Sequence, residues 1–451
     1  MLARFILACC LMILAPGPAR TGVNASTNRV PDFLYTAAKS YEALAWLRGG
    51  ERFPSGASIF VHDAMGRRAL LPDFSSSADA TVSFDGQRVL FAGKIHPLDP
   101  WQIWEVSLQG GPARRITSGT EDCIRPFYVP EGRVVYARKI GGRSVIELME
   151  LNGGKPLALT YIPGNSIPSD VLRDGRIVFS AGYPLGEGAV PEIYAMYSDG
   201  TGVESYRCDH GEGRHSAIQS QSGDLIFVSV AGLGRFSSAR AQGLRLTAPS
   251  GEYSGGIAEV APGSWLISWR PDSNASYRLM QWQQGVQSLQ TVEAEQGIHL
   301  LQPVLILARA TPNRHPSGLH DWPNANLLCL NAYTSKHAFA PGSIHSVRLY
   351  TRDEKGNSNL LGEAPVQRDG SFFVQVPNEQ PLQIELLDAR GNTLKREAGF
   401  FWMRRGEQRV CVGCHAGPET APENAVPEIL LKSTAPADLT GAATHTASGG
   451  H

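Results

Sequence analysis

The sequence has almost no net charge and no long apolar stretch. Its 41 Lys and Arg residues balance 42 Asp and Glu residues, which leaves a formal charge of -1. No long-range field therefore draws the protein toward nucleic acid or an anionic membrane. No run reaches the roughly 18 apolar residues that a spanning helix needs. We expect no nucleic-acid partner and no membrane span in the mature chain.

Several common catalytic signatures are also missing. No glycine-rich loop that would cradle a phosphate follows a strand, and no nucleophile elbow occurs. Only one pair of cysteines has the C-x-x-C spacing. A structural zinc site would need a second pair of Cys or His ligands. These absences argue against nucleotide, hydrolase and zinc-ribbon chemistry.

The N-terminus has the order of a secretory signal peptide. A basic residue at Arg4 precedes an apolar run over 5–15, and small residues follow. This run is too short to span a bilayer as a mature anchor. We predict a signal peptide over 1–25, with cleavage after Ala25 or after Ala19. The mature protein is then periplasmic or secreted.

The middle of the chain repeats one phrase, in which a turn glycine precedes a short strand of β-branched and aromatic residues. The phrases lie at 84–91, 130–136, 173–179, 221–227 and 261–267. Their period of roughly 40 to 50 residues is typical of a propeller with several strands per blade. The phrase resembles the repeat of TolB-like propellers. The sequence thus predicts a mainly-β protein with a six-bladed β-propeller over 55–308.

The ends of the array predict how the ring closes. Residues 57–71 read as the two outer strands of a blade, and 297–308 read as its two inner strands, which would leave no open sheet edge. Ahead of the ring, 26–54 reads as a helical segment, with a helix over 34–47 that ends before Gly49 and Gly50. His210 and His215 lie close together between two blades, and we expect a loop at the propeller rim there rather than a metal site.

After the propeller the sequence pattern changes. It predicts a small β-rich domain over 309–430, which we expect to carry haem c. Short apolar runs alternate there with Asp-Gly and Arg-Gly turns. From residue 431 to 451, Ala, Thr, Ser and Gly dominate. This composition predicts a disordered tail.

The motif that carries chemistry is Cys411-Val412-Gly413-Cys414-His415. Two thiols at this spacing add to the vinyl groups of a porphyrin, and the imidazole beside them reaches the iron from one face. We predict one covalent haem c on Cys411 and Cys414, with His415 as the proximal iron ligand.

The second axial ligand of the iron is left open by the sequence. The candidates are Met403, His315, His320, His337 and His345. A Met or His ligand suits electron transfer, whereas an open position permits small-ligand binding or catalysis. Near the motif, Arg404, Arg405 and Arg409 either pair with the haem propionates or are solvated surface charges.

A resemblance to a known family covers the segment 308–422. The phrase 361–366 leads to 369–372, then 376–382 to 386–388, and 405–407 shortly precedes Cys411. In this order of phrases the segment is similar to the middle domain of the hydrazine synthase alpha-subunit-like family, which typically follows a propeller. The resemblance implies that the β-rich domain over 309–430 is this hydrazine-synthase-alpha-like middle domain. The resemblance implies an exported, haem-bearing redox protein. The namesake is a multi-subunit enzyme with further haem domains, so a chain with one CxxCH does not imply hydrazine synthesis.

Three functions fit these features. The leading hypothesis is an exported mono-haem c-type cytochrome that transfers electrons, with the propeller as the docking platform for a redox partner protein or subunit. The second is a haem enzyme or ligand-binding protein with an open iron site that acts on a nitrogen or oxygen species. The third is a propeller scaffold in which the haem is structural.

Overall fold

The computed structural model describes residues 30–182, 190–206, 213–237, 244–335, 337–353, 356–413 and 425–441, except the side chains at 244 and 245. The expected signal peptide lies outside these residues. Regular structure in the described residues is almost entirely strand. None of these residues forms a helix long and apolar enough to cross a membrane.

Strands β1 to β24 form six four-stranded antiparallel sheets in the described residues. The first three strands are β1 (Phe33–Ala38), β2 (Ser58–Asp63) and β3 (Gly66–Ala69). The second sheet is β4 (Ser76–Val82), β5 (Arg88–Lys94), β6 (Gln102–Ser107) and β7 (Arg114–Arg115). The third is β8 (Cys123–Val129), β9 (Arg133–Ile140), β10 (Arg143–Glu150) and β11 (Leu157–Ala158).

The fourth sheet is β12 (Asn165–Val171), β13 (Ile177–Gly182), β14 (Glu192–Met196) and β15 (Glu204–Ser205). The fifth is β16 (Arg214–Gln219), β17 (Leu225–Ser229), β18 (Gly232–Phe236) and β19 (Leu244–Arg245). The sixth is β20 (Glu252–Ala261), β21 (Ser264–Arg270), β22 (Arg278–Gln283) and β23 (Leu289–Glu293). The last strand, β24 (His299–Leu305), pairs with β1.

The first strands of successive sheets contact one another around a ring. β4 contacts β8, β8 contacts β12, and the series continues through β16 and β20 to β24, which contacts β4 again. This circular contact of inner strands is the arrangement of a β-propeller. The expectation of a mainly-β chain with a propeller is confirmed.

The ring closes differently from the prediction. The closing sheet has the order β24-β1-β2-β3, so the C-terminal side supplies one strand and the N-terminal side supplies three. The expected helix over 34–47 is wrong, because β1 occupies its first half and the 3-10 helix Ala45–Arg48 lies near its end. All six residues of β1 are buried between β24 and β2. Pairing and burial on both sides outweigh the weak helix preference of the isolated segment.

The repeated turn glycines have a packing role that their spacing did not reveal. We call residues 306–324, between β24 and the next strand, the linker. The linker crosses the Asp-Gly turns on one face of the propeller, and Arg309 N donates to Phe84 O at 2.8 Å. A Cβ on Gly86 would lie 2.9 Å from Ala308 N, and a Cβ on Gly175 would overlap the Asn313 carbonyl oxygen. These two turns therefore need glycine both for positive φ and for close backbone approach.

The C-terminal domain is a pair of four-stranded sheets. One has the order β31-β25-β28-β32 and the other β27-β26-β29-β30. Their strands are β25 (Ala325–Cys329), β26 (Ser346–Arg352), β27 (Ser358–Pro365), β28 (Phe372–Val376), β29 (Leu382–Leu387), β30 (Thr393–Arg396), β31 (Gln408–Cys411) and β32 (Ala437–Asp438). Buried residues of both sheets, such as Leu327, Leu349 and Leu386, share one hydrophobic core.

The prediction of a disordered tail from residue 431 is wrong over its first part. The short helix α1 (Glu428–Lys432) precedes β32, which pairs in parallel with β28. Leu439 follows the strand and is 2% exposed in the sandwich core. Burial of one large apolar side chain holds this polar-looking segment on the domain. Residues 442–451 lie outside the described residues.

Candidate haem-attachment site

The edge strand β31 carries the first cysteine of the motif. It runs parallel to β25, and Cys411 stands opposite Cys329 in the register. Leu330 N donates to Cys411 O at 2.8 Å, which extends this pairing beyond the strand. Cys411 is half-buried against the sandwich core, and Cys329 is fully buried. Cys414 and His415 lie outside the described residues.

The glycine inside the motif lies tightly against the loop that follows β25. A Cβ on Gly413 would overlap Thr334 O and would lie 2.8 Å from Asn331 O. The loop itself is braced by Tyr333, whose hydroxyl accepts from Ile344 N at 3.1 Å. Since only glycine leaves room for this approach, the motif is held on the sandwich at both Cys411 and Gly413.

The chain just before β31 is buried between the sandwich and the propeller. We call residues 400–409 the docking segment. Phe400 and Trp402 belong to the same hydrophobic cluster as propeller residues of the third and fourth sheets. The Trp402 ring lies 6.2 Å from the rings of Tyr161 and Phe179, and Trp402 is 0% exposed. Burial of this indole ties the motif to one side of the propeller.

Glu407 is the polar centre of the docking segment. It is buried, and it accepts hydrogen bonds from Arg404 N at 2.7 Å and from Gly202 N at 3.0 Å. Arg409 Nη2 donates to the same carboxylate at 2.6 Å. The carboxylate thus joins β31 to a propeller loop, and a buried charge so fully hydrogen-bonded holds a defined geometry. Nothing in the sequence pattern marked Glu407, because its partners are distant in the chain.

The arginines near the motif are divided between the interior and the surface. Arg404 is buried and donates to Ala158 O at 3.0 Å and to Glu379 Oε1 at 3.2 Å. It also contacts Tyr161, whose pKa is raised by burial even though the Arg404 charge opposes that shift. Arg409 donates to Trp402 O and to Glu407. Both side chains are bound by protein groups, so neither alternative of the sequence analysis describes them.

Arg405 is the exposed member of this group. It pairs with Asp321 at 3.0 Å, and both side chains face solvent. Its Nε donates to Trp322 O at 3.3 Å. Arg405 is therefore the arginine that the structure leaves accessible to a charged group near the motif.

The candidates for the second iron ligand lie on separate elements. Met403 is 0% exposed within the sandwich core. His315 stacks on Tyr197 with ring centroids 3.6 Å apart, and His320 stacks on Trp322 at 4.6 Å. His337 and His345 are exposed, and His337 lies on the loop that packs against Gly413. The described residues contain no group of three or more His, Cys, Asp or Glu side chains arranged to hold a metal ion.

Comparison with known proteins identifies the domain that carries the motif. A family model of the hydrazine synthase alpha subunit middle domain matches residues 333–416. The solved structure of Kuenenia stuttgartiensis hydrazine synthase is similar with a TM-score of 0.75 and 16% identity, over 90% of this chain and 72% of that chain. A putative TolB from Agrobacterium tumefaciens has a TM-score of 0.43 and 14% identity, over 60% of this chain and 97% of that chain. No curated protein matches the chain.

These findings correct the leading functional hypothesis. The matched segment includes the whole CxxCH motif, and the family it belongs to is defined by the subunit of a synthase. A mono-haem cytochrome that carries electrons, with its propeller as a docking platform, is therefore the wrong interpretation. The second hypothesis, a haem enzyme that acts on a nitrogen or oxygen species, fits better.

The similarity to the Kuenenia structure covers both the propeller and the sandwich, and at this identity it shows a shared fold. The family match adds the sequence of the motif-bearing domain. Residues 333–416 of this chain therefore match the hydrazine synthase alpha subunit middle domain, and in this chain that domain follows a β-propeller.

Proposed function

We propose that this protein is an exported subunit of a multi-subunit haem enzyme that acts on a small nitrogen species. The observation that carries the proposal is the family match over 333–416, because it includes both cysteines and the histidine of the motif. The name of the matched family supplies the substrate class, and it also supplies the expectation of further subunits as partners.

The donor set of the motif fits a covalent haem. Cys411 and Cys414 would form the thioether bonds, and His415 would bind the iron. Cys411 stands at the end of an edge strand, and its neighbour Val410 is 58% exposed. A flat porphyrin can therefore lie beside this strand without opening the sandwich core. Such a group, when bound, would supply redox chemistry to a small molecule.

The docking segment supports an enzyme rather than a freely tethered haem. Trp402 and Glu407 hold the start of the motif against the propeller, so the motif cannot swing as an independent carrier domain. Binding sites occur preferentially where two domains meet. The propeller loop at Gly202 donates a hydrogen bond to Glu407 of the docking segment, so this loop lies where the two domains meet.

Three of the five ligand candidates already have close protein contacts, which supports an exchangeable site on the iron. His337 and His345 are exposed and stay candidate ligands. The Met403 thioether is enclosed in the sandwich core, and reaching a surface porphyrin would require it to leave that core. His315 and His320 each stack on an aromatic ring. An iron without a strong second protein ligand is the form that binds small molecules.

The test uses the full chain, produced with a cytochrome c maturation apparatus. We expect covalent haem by mass and an altered absorption spectrum of the ferrous protein in carbon monoxide. A Cys411→Ser, Cys414→Ser double variant should lose the haem. Cys123→Ala removes a buried thiol outside the motif and should keep it. A haem-free wild-type protein, or a ferrous spectrum that carbon monoxide leaves unchanged, would overturn the proposal.

The expectation of a complex has its own measurement. The protein isolated from its source cells should elute with a native mass well above that of one chain and with other subunits bound. A single chain at physiological concentration would contradict the assignment to a multi-subunit enzyme, whatever the state of the haem.

A further inference from the structure

The inner strands of the propeller share an unusual backbone feature. Four of them place a residue with positive φ at an irregularity of the strand pairing: Asp79 (φ 60°), Arg125 (φ 56°), Ser216 (φ 55°) and Gln302 (φ 53°). The irregularities interrupt the pairing of β4, β8 and β16 at these residues. β-Bulges redirect side chains, and non-glycine residues in this region are sterically unfavourable and concentrate at functional sites. All four residues are polar, and they lie on strands that surround the propeller axis.

The Asp79 carboxylate accepts hydrogen bonds from Arg52 and from two members of this set. Arg52 donates to both carboxylate oxygens, at 2.9 and 2.5 Å, and Gln302 Nε2 donates at 2.6 Å. The backbone N–H of Arg125 donates to the same carboxylate at 3.1 Å. Asp79 is thus saturated, and its charge is already matched by Arg52.

The Arg125 guanidinium has far fewer partners. Its Nε donates to Pro168 O at 3.3 Å, and its Nη1 lies 3.9 Å from the nearest Asp79 oxygen, which is beyond hydrogen-bond distance. Within the described residues, its two terminal nitrogens make no hydrogen bond. The side chain is 16% exposed, and its guanidinium carbon lies 5.5 Å from the centre of the Phe127 ring.

Asp170 and Arg309 are the further charged groups in this neighbourhood. Asp170 lies on β12, where its carboxylate accepts from Gln219 N and Val171 N at 2.8 Å each. Burial raises the pKa of Asp170, although the Arg309 and Arg125 charges oppose this. Arg309 lies exposed at the linker side of the ring, 4.7 Å above the Phe84 ring. At the axis Arg52 and Arg125 face Asp79 and Asp170, and Arg309 adds a positive charge from the linker side.

His215 is the other titratable group beside this set. It lies on the inner strand β16, not in a rim loop as the sequence suggested, and its Nδ1 is 3.0 Å from Ser216 Oγ. Burial and the Arg125 charge lower the pKa of His215 to about 4. The imidazole is neutral at pH 7, so it neither adds to the positive charge nor cancels it.

We infer that the propeller axis binds a small planar oxyanion on Arg125, of the kind represented by nitrite, nitrate and short carboxylates. Two parallel N–H groups in one plane match two oxygens of such an anion. Because the Arg125 side chain is only 16% exposed, this pairing is stronger than it would be in bulk water. The site is separate from the CxxCH motif and does not depend on the proposed function.

The experiment is a titration of the full mature chain with sodium nitrite, nitrate or acetate at constant ionic strength in chloride, followed by calorimetry and thermal unfolding. We expect saturable heat and a rise in Tm for at least one of these anions. In Arg125→Gln the apparent Kd should rise at least tenfold. Arg125→Lys keeps the charge without the planar pair of donors. Its apparent Kd should therefore lie between those of wild type and Arg125→Gln. Arg278→Gln, an exposed arginine on β22, is the matched control and should bind like wild type.

The absorption spectrum distinguishes binding at this site from binding at the haem iron. Nitrite that binds to haem changes the absorption spectrum, whereas binding at the axis leaves it unchanged. The inference is overturned if the wild-type chain gives no saturable heat with any of the three anions. It is also overturned if the variants at residue 125 bind as tightly as wild type. If circular dichroism shows that Arg125→Gln does not fold, the titration heats of wild type and of Arg125→Lys test the inference instead.

Discussion

Arg52 and Asp79 form a two-point ion pair inside the propeller, with Nη1–Oδ1 at 2.9 Å and Nη2–Oδ2 at 2.5 Å. Their side chains are 6% and 1% exposed. Arg52 belongs to the segment between β1 and β2, while Asp79 belongs to the innermost strand of the next sheet. The pair therefore fastens the N-terminal segment across the end of the ring, close to where the ring is closed by β24.

We predict that Asp79→Asn lowers the free energy of unfolding by about 3 to 5 kcal/mol, because it leaves the Arg52 charge buried without its partner. Urea unfolding followed by tryptophan fluorescence measures this. The control is Glu252→Gln, which removes an exposed pair with Arg270 at 2.5 Å and should cost about 1 kcal/mol or less. Equal losses in the two variants would contradict the role assigned to the buried pair.

The same pair has a pH signature. Burial alone would raise the pKa of Asp79, but the Arg52 charge and its hydrogen bonds outweigh burial and lower that pKa. Its stabilising contribution is therefore complete above the unfolded value of about 3.9 and disappears as pH falls below it. Wild type should lose stability steeply in this acid range, and Asp79→Asn should lose less.

A second pH effect comes from His215 at higher pH. Its folded pKa of about 4 lies below the unfolded value of about 6.5, so the unfolded state binds more protons between these values. Stability is then complete above about pH 6.5 and falls as pH decreases toward 4, by roughly 3 kcal/mol in total. His215→Gln should flatten this part of the curve. His299, whose pKa is also lowered by burial, would leave a residual slope of the same sign.

The stabilities of wild type and His215→Gln are compared relative to pH 7.5, where the side chain at position 215 is neutral in both proteins. Chemical unfolding at half-unit pH steps from 7.5 to 4.5 supplies the comparison. If wild type and His215→Gln have parallel curves over this range, the imidazole is not the group that is held neutral in the fold.

Two turn glycines offer a matched test of linker packing. Gly175 (φ 86°) and Gly223 (φ 98°) occupy equivalent turns and have similar backbone conformations. A Cβ on Gly175 would overlap Asn313 O, whereas a Cβ on Gly223 meets nothing within 4 Å. Both Gly→Ala changes should cost about 1 kcal/mol for the left-handed backbone. Gly175→Ala should cost at least a further 1 kcal/mol by displacing the linker.

Thermal and urea unfolding of the two variants measure the difference. Faster proteolysis within the linker should accompany Gly175→Ala only. The same stability and the same cleavage pattern in both variants would show that the linker does not press on this turn.

At the motif, Gly413→Ala should impair haem attachment. Its Cβ would overlap Thr334 O, so the loop after β25 must move and Cys411 loses its support. We expect a covalent haem yield reduced at least several-fold, measured as the ratio of haem absorbance to protein. Gly318→Ala, where a Cβ meets nothing within 4 Å, is the control and should give the wild-type yield. Full haem loading of Gly413→Ala would show that this contact is dispensable.

The local patterns in the sequence were informative where short segments carry their own chemistry. The Asp-Gly phrases predicted the strands that follow residues 86 and 175, because turn glycines and β-branched runs act over a few residues. The order of phrases before Cys411 likewise pointed to the family of the middle domain, which the family match confirms. The haem, the export signal and the ligand roles of Cys414 and His415 stay predictions.

Errors arose where distant partners decide the outcome. The composition of 34–47 favours helix, but β1 forms because β24 arrives from the far end of the ring and pairs with it. The sequence predicted surface or propionate-binding charges at Arg404 and Arg409. Arg404 is instead buried beside Glu379, and Arg409 pairs with the buried Glu407. No rule of spacing connects such residues, since the contacts exist only after the sandwich packs on the propeller.

The sequence by itself determined the β-strand repeat, the motif of two thiols and an imidazole, and the family of the middle domain around that motif. Each of these depends on neighbours within a few residues. Only the tertiary structure decided that β1 closes the ring, that Trp402 and Glu407 anchor the motif to the propeller, and that the Arg125 guanidinium has few hydrogen-bond partners at the axis. These features depend on which surfaces meet and which charges are buried together, and free energies of that kind are set by long-range packing.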